Sequence, residues 1–139
     1  MTESFIYDVI RKHRLAVLAT TSADLQPEAA VVGIAVTPSL EIVFDTVRTS
    51  RKYRNLIAQP RVAIVIGMKN ETTTQYEGVA TELRGAEDDR YREAYYGVFP
   101  EGRERAATWE GLVHFVVRPH WIRYSNYNEP VMIEEMRFS

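Results

Sequence analysis

The fold turns on residues 41–66, EIVFDTVRTSRKYRNLIAQPRVAIVI. Residues 41–46 read as a strand that breaks into a polar turn. Ser50 is placed as the N-cap of a short helix, with Tyr53, Leu56 and Ile57 as its apolar stripe. Pro60 stops that helix, and Val62-Ala63-Ile64-Val65-Ile66 resumes as a strand.

The first helical turn is the chemically pointed part of this stretch. Arg51 and Lys52 stand at the positive end of the helix dipole, where a cation is disfavoured by roughly 0.3–1 kcal/mol. A bound anion reverses that sign, because free N–H groups and two cations then converge on it. Thr46 and Ser50 add hydroxyl donors. The competing reading is a solvated, slightly frustrated helix start. A strand on either side favours a phosphate seat.

Outward from this centre, Thr2 or Ser4 caps a first helix running to about His13, with Phe5, Ile6, Val9 and Ile10 on one face, suited to covering an opening or face of a sheet. Leu15–Thr20 is short and apolar, as in a strand buried on both sides. The polar run Thr21–Gln26 ends at Pro27 and suits a hairpin connection. Ala29–Val36 is a second apolar strand, in which Gly33 marks a bulge or a close backbone approach. Beyond Ile66, Met68–Thr72 reads as a polar loop and Thr73–Leu83 as a long strand carrying Gly78. Acidic Glu87, Asp88 and Asp89 open a helix whose apolar positions are Tyr91, Ala94, Tyr95 and Val98. Arg103–Glu110 adds a further helical turn. Leu112–Val117 is a strand that bends at Pro119 and continues through Tyr124, and Val131–Phe138 closes the chain. The sum is about seven strands with two or three helices, a mainly β (α+β), barrel-like single domain over residues 1–139.

Composition narrows the function. A 45% hydrophobic and 26% charged chain of 139 residues is ordinary for a globular domain able to bury a core. Its net charge of -2 and pI near 5.9 do not favour a nucleic-acid surface. The absence of cysteine removes disulfides, thiolate metal sites and a cysteine nucleophile. No apolar run reaches the roughly 20 residues of a membrane span, and no signal-peptide core is visible, so a cytoplasmic protein is expected. There is no G-x-G pair and no G-x-S-x-G elbow. His13, His114 and His120 are too scattered for a metal set, and His114 reads as a packed or surface strand residue. Glu87-Asp88-Asp89 and Glu134-Glu135 are explained as helix-start charges and a solvated strand face, which leaves no catalytic carboxylate pair.

Two further groups stand out. Gln75 by itself reads as an exposed strand glutamine, with an amide that both donates and accepts. Trp121 and Arg123 alternate on one face of a strand, next to Tyr124. They offer either core packing by the indole or an aromatic–guanidinium platform for a planar, phosphorylated ligand.

The pattern Phe44-x-Thr46-x3-Ser50-Arg51-Lys52-x2-Asn55-Leu56-x2-Gln59-Pro60-Arg61-Val62 resembles the pyridoxamine-phosphate-oxidase-like, FMN-binding split barrels, close to their small general-stress or oxidase-related members. Gln75-x-x-Gly78-x-Ala80 and Trp121-x-Arg123-Tyr124 support the likeness, which extends from Leu15 to Phe138. It implies a Greek-key split barrel that pairs as a homodimer with FMN in a groove between subunits. It further implies phosphate ligands at Thr46, Ser50, Arg51 and Lys52, with Asp45 beside them. Backbone contacts from Val31 and Val32, and ring contacts from Gln75, Trp121 and Arg123, complete the implied site. The implied activity is a small flavin-dependent oxidoreductase acting on an undefined small molecule. A non-catalytic flavin carrier, sensor or stress module fits as well.

Departures from the pattern argue against vitamin B6 oxidation. Residues 28–32 read Glu-Ala-Ala-Val-Val where those oxidases carry an arginine, the chain is shorter, and it ends Met136-Arg137-Phe138-Ser139 rather than in Arg-Leu-x-Pro. Relatives use a deazaflavin or haem in place of FMN. Haem ranks lowest, because only His114 or His120 in the second half is available as an axial ligand.

Overall fold

Period-two burial builds most of the molecule: in strand after strand, alternate residues enter one common core. The structure is a computed structural model and describes residues 1–139. Its elements are α1 (Glu3–Ile10), β1 (Leu15–Thr21), β2 (Pro27–Gly33), β3 (Ala35–Val36), β4 (Ile42–Val47) and α2 (Arg51–Ala58). There follow β5 (Arg61–Lys69), β6 (Thr72–Glu82), α3 (Asp89–Val98), α4 (Gly102–Thr108), β7 (Leu112–Asn126) and β8 (Met132–Arg137). The strands form one antiparallel sheet in the order β2-β1-β5-β6-β7-β4-β3, with β8 added to β7. Curled on itself, this sheet is the split barrel.

The eighth strand arises because the expected Ala29–Val36 strand changes partner at Ile34: its N–H makes the last bond to β1, at the Arg14 carbonyl, and Ala35–Val36 then pair with β4. Gly33 lies at this switch. A Cβ there would stand 2.7 Å from Cζ of Phe99, so the backbone passes close under the ring that follows α3. Arg103–Thr108 adds to the helix count as part of α4.

The main core holds twenty buried side chains, among them Phe44, Ile64, Tyr76, Phe115 and Ile122. Helix α1 stops one opening of the barrel with Ile6 and Ile10, both fully buried, each contributing about 1.5–3 kcal/mol. A second core lies on the other side of the sheet, where Tyr91, Tyr95 and Tyr96 of α3, with Phe99, cover Ala35, Val43 and Val116. Helix α3 therefore closes the outer face of β3, β4 and the first half of β7. The rest of the outer face is open. One row of it crosses six strands in register: Val31, Val17, Val65, Gln75, Arg123 and Glu135.

Three local expectations are corrected. Strand β1 is not buried on both sides: Ala16, Leu18 and Thr20 point inward, while Val17 and Ala19 face out and are half-buried. Ile57 leaves the apolar stripe of α2, being 57% exposed, and Asn55 is buried in its stead. Residues 68–72 are mostly strand rather than loop, because Asn70 and Glu71 both adopt positive φ and turn the chain in two residues. Strands β6 and β7 slip in register between Glu77 and Gly78. A Cβ on Gly78 would lie 2.3 Å from the Arg118 carbonyl oxygen, so only glycine lets the strands approach there. No helix is long and apolar enough to cross a membrane.

Candidate functional site

The turn between β4 and α2 is built as its residue types demand. Ser50, in extended backbone, caps α2 by accepting from the Tyr53 N–H at 3.1 Å. Its Oγ also lies 2.9 Å from Oγ1 of Thr46. With Thr46 as donor in that contact, Ser50 keeps its own O–H free for a ligand. The first-turn amides of Arg51 and Lys52 have no intrahelical acceptor, and no acidic residue occupies that turn. Tyr53 O–H donates to Glu82 at 2.9 Å and fixes the helix to β6.

Arg51 and Lys52 border a cleft of about 130 Å³ whose other walls are Leu18, Thr20, Glu28, Ala29 and Ala30. Ala29 and Ala30 face opposite sides of β2, yet both line the cleft. It therefore straddles the free edge of a terminal strand, where small side chains leave room and peptide groups are unpaired. A groove of about 450 Å³ shares Thr20 with this cleft and continues past Ala19, Ala63, Glu77 and His120. A small cleft with two cations at its border thus opens beside a larger recess on the sheet.

The structure brings together four of the expected residues, Thr46, Ser50, Arg51 and Lys52. Val31 is 64% exposed on the outer face, whereas the Val32 side chain is in the core and leaves only its backbone to a ligand. Asp45 is a correction. Side chains alternate along β4, so Asp45 points away from Thr46 and toward α3, opposite His114. There its Oδ2 and His114 Nε2 are both buried without a hydrogen-bond partner. Burial, more than any neighbouring charge, lowers the His114 pKa, and burial reinforced by Asp45 raises that of the Tyr95 hydroxyl.

Gln75, Trp121 and Arg123 lie elsewhere on the open face. Arg123 stands four strand steps from Val31, about 19 Å at the usual spacing, so a single chain does not gather these residues at the seat. Trp121 is half-buried on the outer face and outside both cores, which corrects the core-packing reading. The Arg123 guanidinium lies 5.2 Å from its ring centroid and binds Glu135 through Nε at 3.0 Å and through Nη2.

Two contributors escaped the sequence. Asn55 donates to Thr20 Oγ1 at 2.9 Å and to Glu28 Oε1 at 2.8 Å, and Glu28 in turn lies 3.5 Å from Arg51 Nε. The available signal was an asparagine beside Leu56 within a short helix, a poor helix former that needs a tertiary partner.

The family model described as pyridoxamine 5'-phosphate oxidase matches residues 3–126. A pyridoxine/pyridoxamine 5'-phosphate oxidase of Cupriavidus metallidurans is 34% identical over 93 residues, covering 66% of this chain and 42% of the relative. The chain thus spans less than half the length of that relative. Among solved structures, a haem-binding protein from Mycobacterium smegmatis superposes with a TM-score of 0.81 at 18% identity, over 99% of this chain and 58% of the other. The haem storage protein HutZ of Vibrio cholerae gives 0.71 at 16% identity, over 86% and 91%. At these identities the likeness is one of fold.

Proposed function

Because the chain belongs to the pyridoxamine 5'-phosphate oxidase family, whose members commonly bind flavin, we propose that it is an FMN-binding flavoprotein acting as a small flavin-dependent oxidoreductase. The observation that carries this reading is the cleft at the edge of β2, bordered by the two cations of a helix start whose cap is the Thr46–Ser50 hydroxyl pair, beside a larger recess. Arg51 and Lys52 would bind the FMN phosphate, Ser50 would donate to it, and the first-turn amides would complete its shell. Bound FMN supplies reversible hydride or electron transfer at its ring.

The rest of the site is best supported as a joint one. Family members are typically dimeric, and the open face offers an apolar band of Val31, Val17 and Val65 for a second copy to cover. Such pairing would bring Gln75, Trp121 and Arg123 of the other copy to a ring that those of the same chain do not reach. Vitamin B6 oxidation is not carried over from the relative, since residues 28–32 hold no arginine.

The test is the visible spectrum of the purified protein, mass spectrometry of what heat releases, and titration with FMN. Flavin bands or FMN uptake, lost by at least about 100-fold in affinity in Arg51→Ala/Lys52→Ala, are expected. A released deazaflavin keeps the seat and replaces the cofactor. Unchanged FMN affinity in the double variant refutes the seat. Reduction of bound flavin by NADH or NADPH, followed by reoxidation with a second substrate, separates an enzyme from a carrier.

Haem is the second reading, favoured by His120, which is half-exposed in the 450 Å³ groove with Nε2 3.9 Å from Glu77. His114 is no alternative ligand, being 5% exposed beneath α3. A Soret band on haemin addition that is lost in His120→Ala would select it over FMN.

A further inference from the structure

A cavity of about 500 Å³ lies between α1, β3 and α3 and shares no residue with the seat or its groove. Its floor is apolar, with Ile34, Val36, Ala94 and Val98, and its titratable lining is entirely basic or phenolic. Arg11 and His13 enter from the end of α1, Arg90 from α3, and Tyr7 and Tyr91 from the two helices. No carboxylate lines it.

The lining cations are held rather than loose. Arg90 donates through Nη2 to the Tyr91 hydroxyl at 2.6 Å, and its Cζ stands 4.2 Å from that ring centroid. Tyr91, only 2% exposed, donates its own proton to Glu41 at 2.6 Å. Glu41 is further engaged by Thr37 at 3.2 Å and by Arg118 at 3.8 Å, so its charge is already spoken for. Arg11 is paired with Asp8 at 2.9 Å, where both side chains are more than half exposed and their mutual attraction is screened. His13 packs against Gly67, which has a left-handed φ of +77° and no side chain to fill that space.

We propose that this cavity binds a small amphipathic organic anion: a carboxylate on an apolar body about two rings in size. The volume falls within the range of small-molecule sites, and an apolar floor with a few convergent polar groups is their usual construction. The carboxylate would take hydrogen bonds from Arg90, with Arg11 adding charge, while the hydrocarbon body covers Ile34, Val36, Ala94 and Val98. Arg90 suits this role because its donors beyond Nη2 are not used by Tyr91, and the ring beneath it fixes the guanidinium plane. This assignment does not depend on the cofactor at the seat.

The probe is 1-naphthoate, titrated into the ¹⁵N-labelled full chain, with neutral 1-naphthalenemethanol as its control. Saturable shifts confined to the amides around Val36, Thr37, Tyr91 and Ala94 are expected, with naphthoate at least about fivefold tighter than the alcohol. Arg90→Gln should weaken naphthoate by a similar factor and leave the alcohol unchanged. Absence of saturable shifts at those amides, or shifts centred on Arg51 instead, overturns the site. Equal binding of acid and alcohol overturns the anionic assignment. Should Arg90→Gln disturb the fold, the acid–alcohol comparison on the unaltered protein still decides.

Discussion

The side-chain amide of Asn55 bridges Glu28, at 2.8 Å, and Thr20, at 2.9 Å, and so fastens helix α2 to strands β2 and β1. All the seat's cations stand on that helix. Asn55→Ala leaves the Thr20 hydroxyl and the Glu28 carboxylate without the donor they share. A loss of about 2–3 kcal/mol in unfolding free energy is expected by urea denaturation. A change within about 0.5 kcal/mol would show that α2 is held by Leu56 and Tyr53 alone.

Glu28 is a carboxylate in the cleft proposed to hold an anion. It lies 3.5 Å from Arg51 Nε and opposes any phosphate placed in the same cleft. Glu28→Gln keeps an acceptor for Asn55 and removes the charge. We predict FMN binding tightened by about threefold to tenfold, read by quenching of flavin fluorescence. Weaker binding would instead make Glu28 the group that orients Arg51.

Ser50→Ala removes both the cap of α2 and the partner of Thr46. The predicted cost is about 1 kcal/mol in stability. Ser50→Asp should restore the cap, because its carboxylate accepts from the same amide, yet it should abolish FMN uptake by repelling phosphate. Recovery of both properties in the aspartate variant would contradict the seat.

His114 makes stability depend on pH. Its folded pKa is depressed by burial below the ordinary 6.5, so between those two values the unfolded chain binds a proton that the folded chain refuses. Its contribution is complete above pH 6.5 and is lost as pH falls through that window. The difference in stability between the protein and His114→Gln should therefore shrink from pH 7 to pH 5 in thermal melts. A constant difference would mean that His114 does not titrate there.

Gly78→Ala tests the close approach of β6 and β7. The added methyl meets a backbone oxygen rather than a side-chain tip, so the strands themselves must separate. A loss of about 2 kcal/mol or more is predicted from the disturbed pairing. Gly97→Ala, where nothing lies within 4 Å, is the control and should be neutral or slightly stabilising.

The capped turn that carries the proposed seat was legible because its logic is local. A cap, two adjacent cations and a proline stop lie within eleven residues, and the turn geometry follows from them. The strands were legible as short apolar runs bounded by proline, glycine and polar turns, and the split-barrel fold from the spacing of Thr46, Ser50, Arg51 and Lys52 in a family pattern. What stayed hidden depends on neighbours distant in sequence. Asp45 faces α3 because β4 has a core on each side, which a strand so apolar does not reveal. Asn55 looks like a surface residue until Glu28 and Thr20 arrive from across the sheet. The close pass at Gly33 depends on the Phe99 ring, sixty-six positions along the chain, and no local propensity announces it.

The register slip at Gly78 also sets the phase of β7. Ahead of it, odd positions such as Val113, Phe115 and Val117 belong to the main core; after it, even positions such as Ile122 and Tyr124 do. One strand thereby serves two different exteriors, presenting His114 and Val116 to α3 and then Trp121 and Arg123 to the open face. Deleting His120 would take out the one residue here that has no partner on β6 and straighten the bend, leaving Trp121 and Arg123 outward and Ile122 and Tyr124 inward. A deletion among the paired residues 121–126 would instead turn side chains to the wrong face. Loss of a residue is therefore absorbed at this bend, as an extra one is in the exposed turn at residues 127–130, while the paired stretch between the two admits neither.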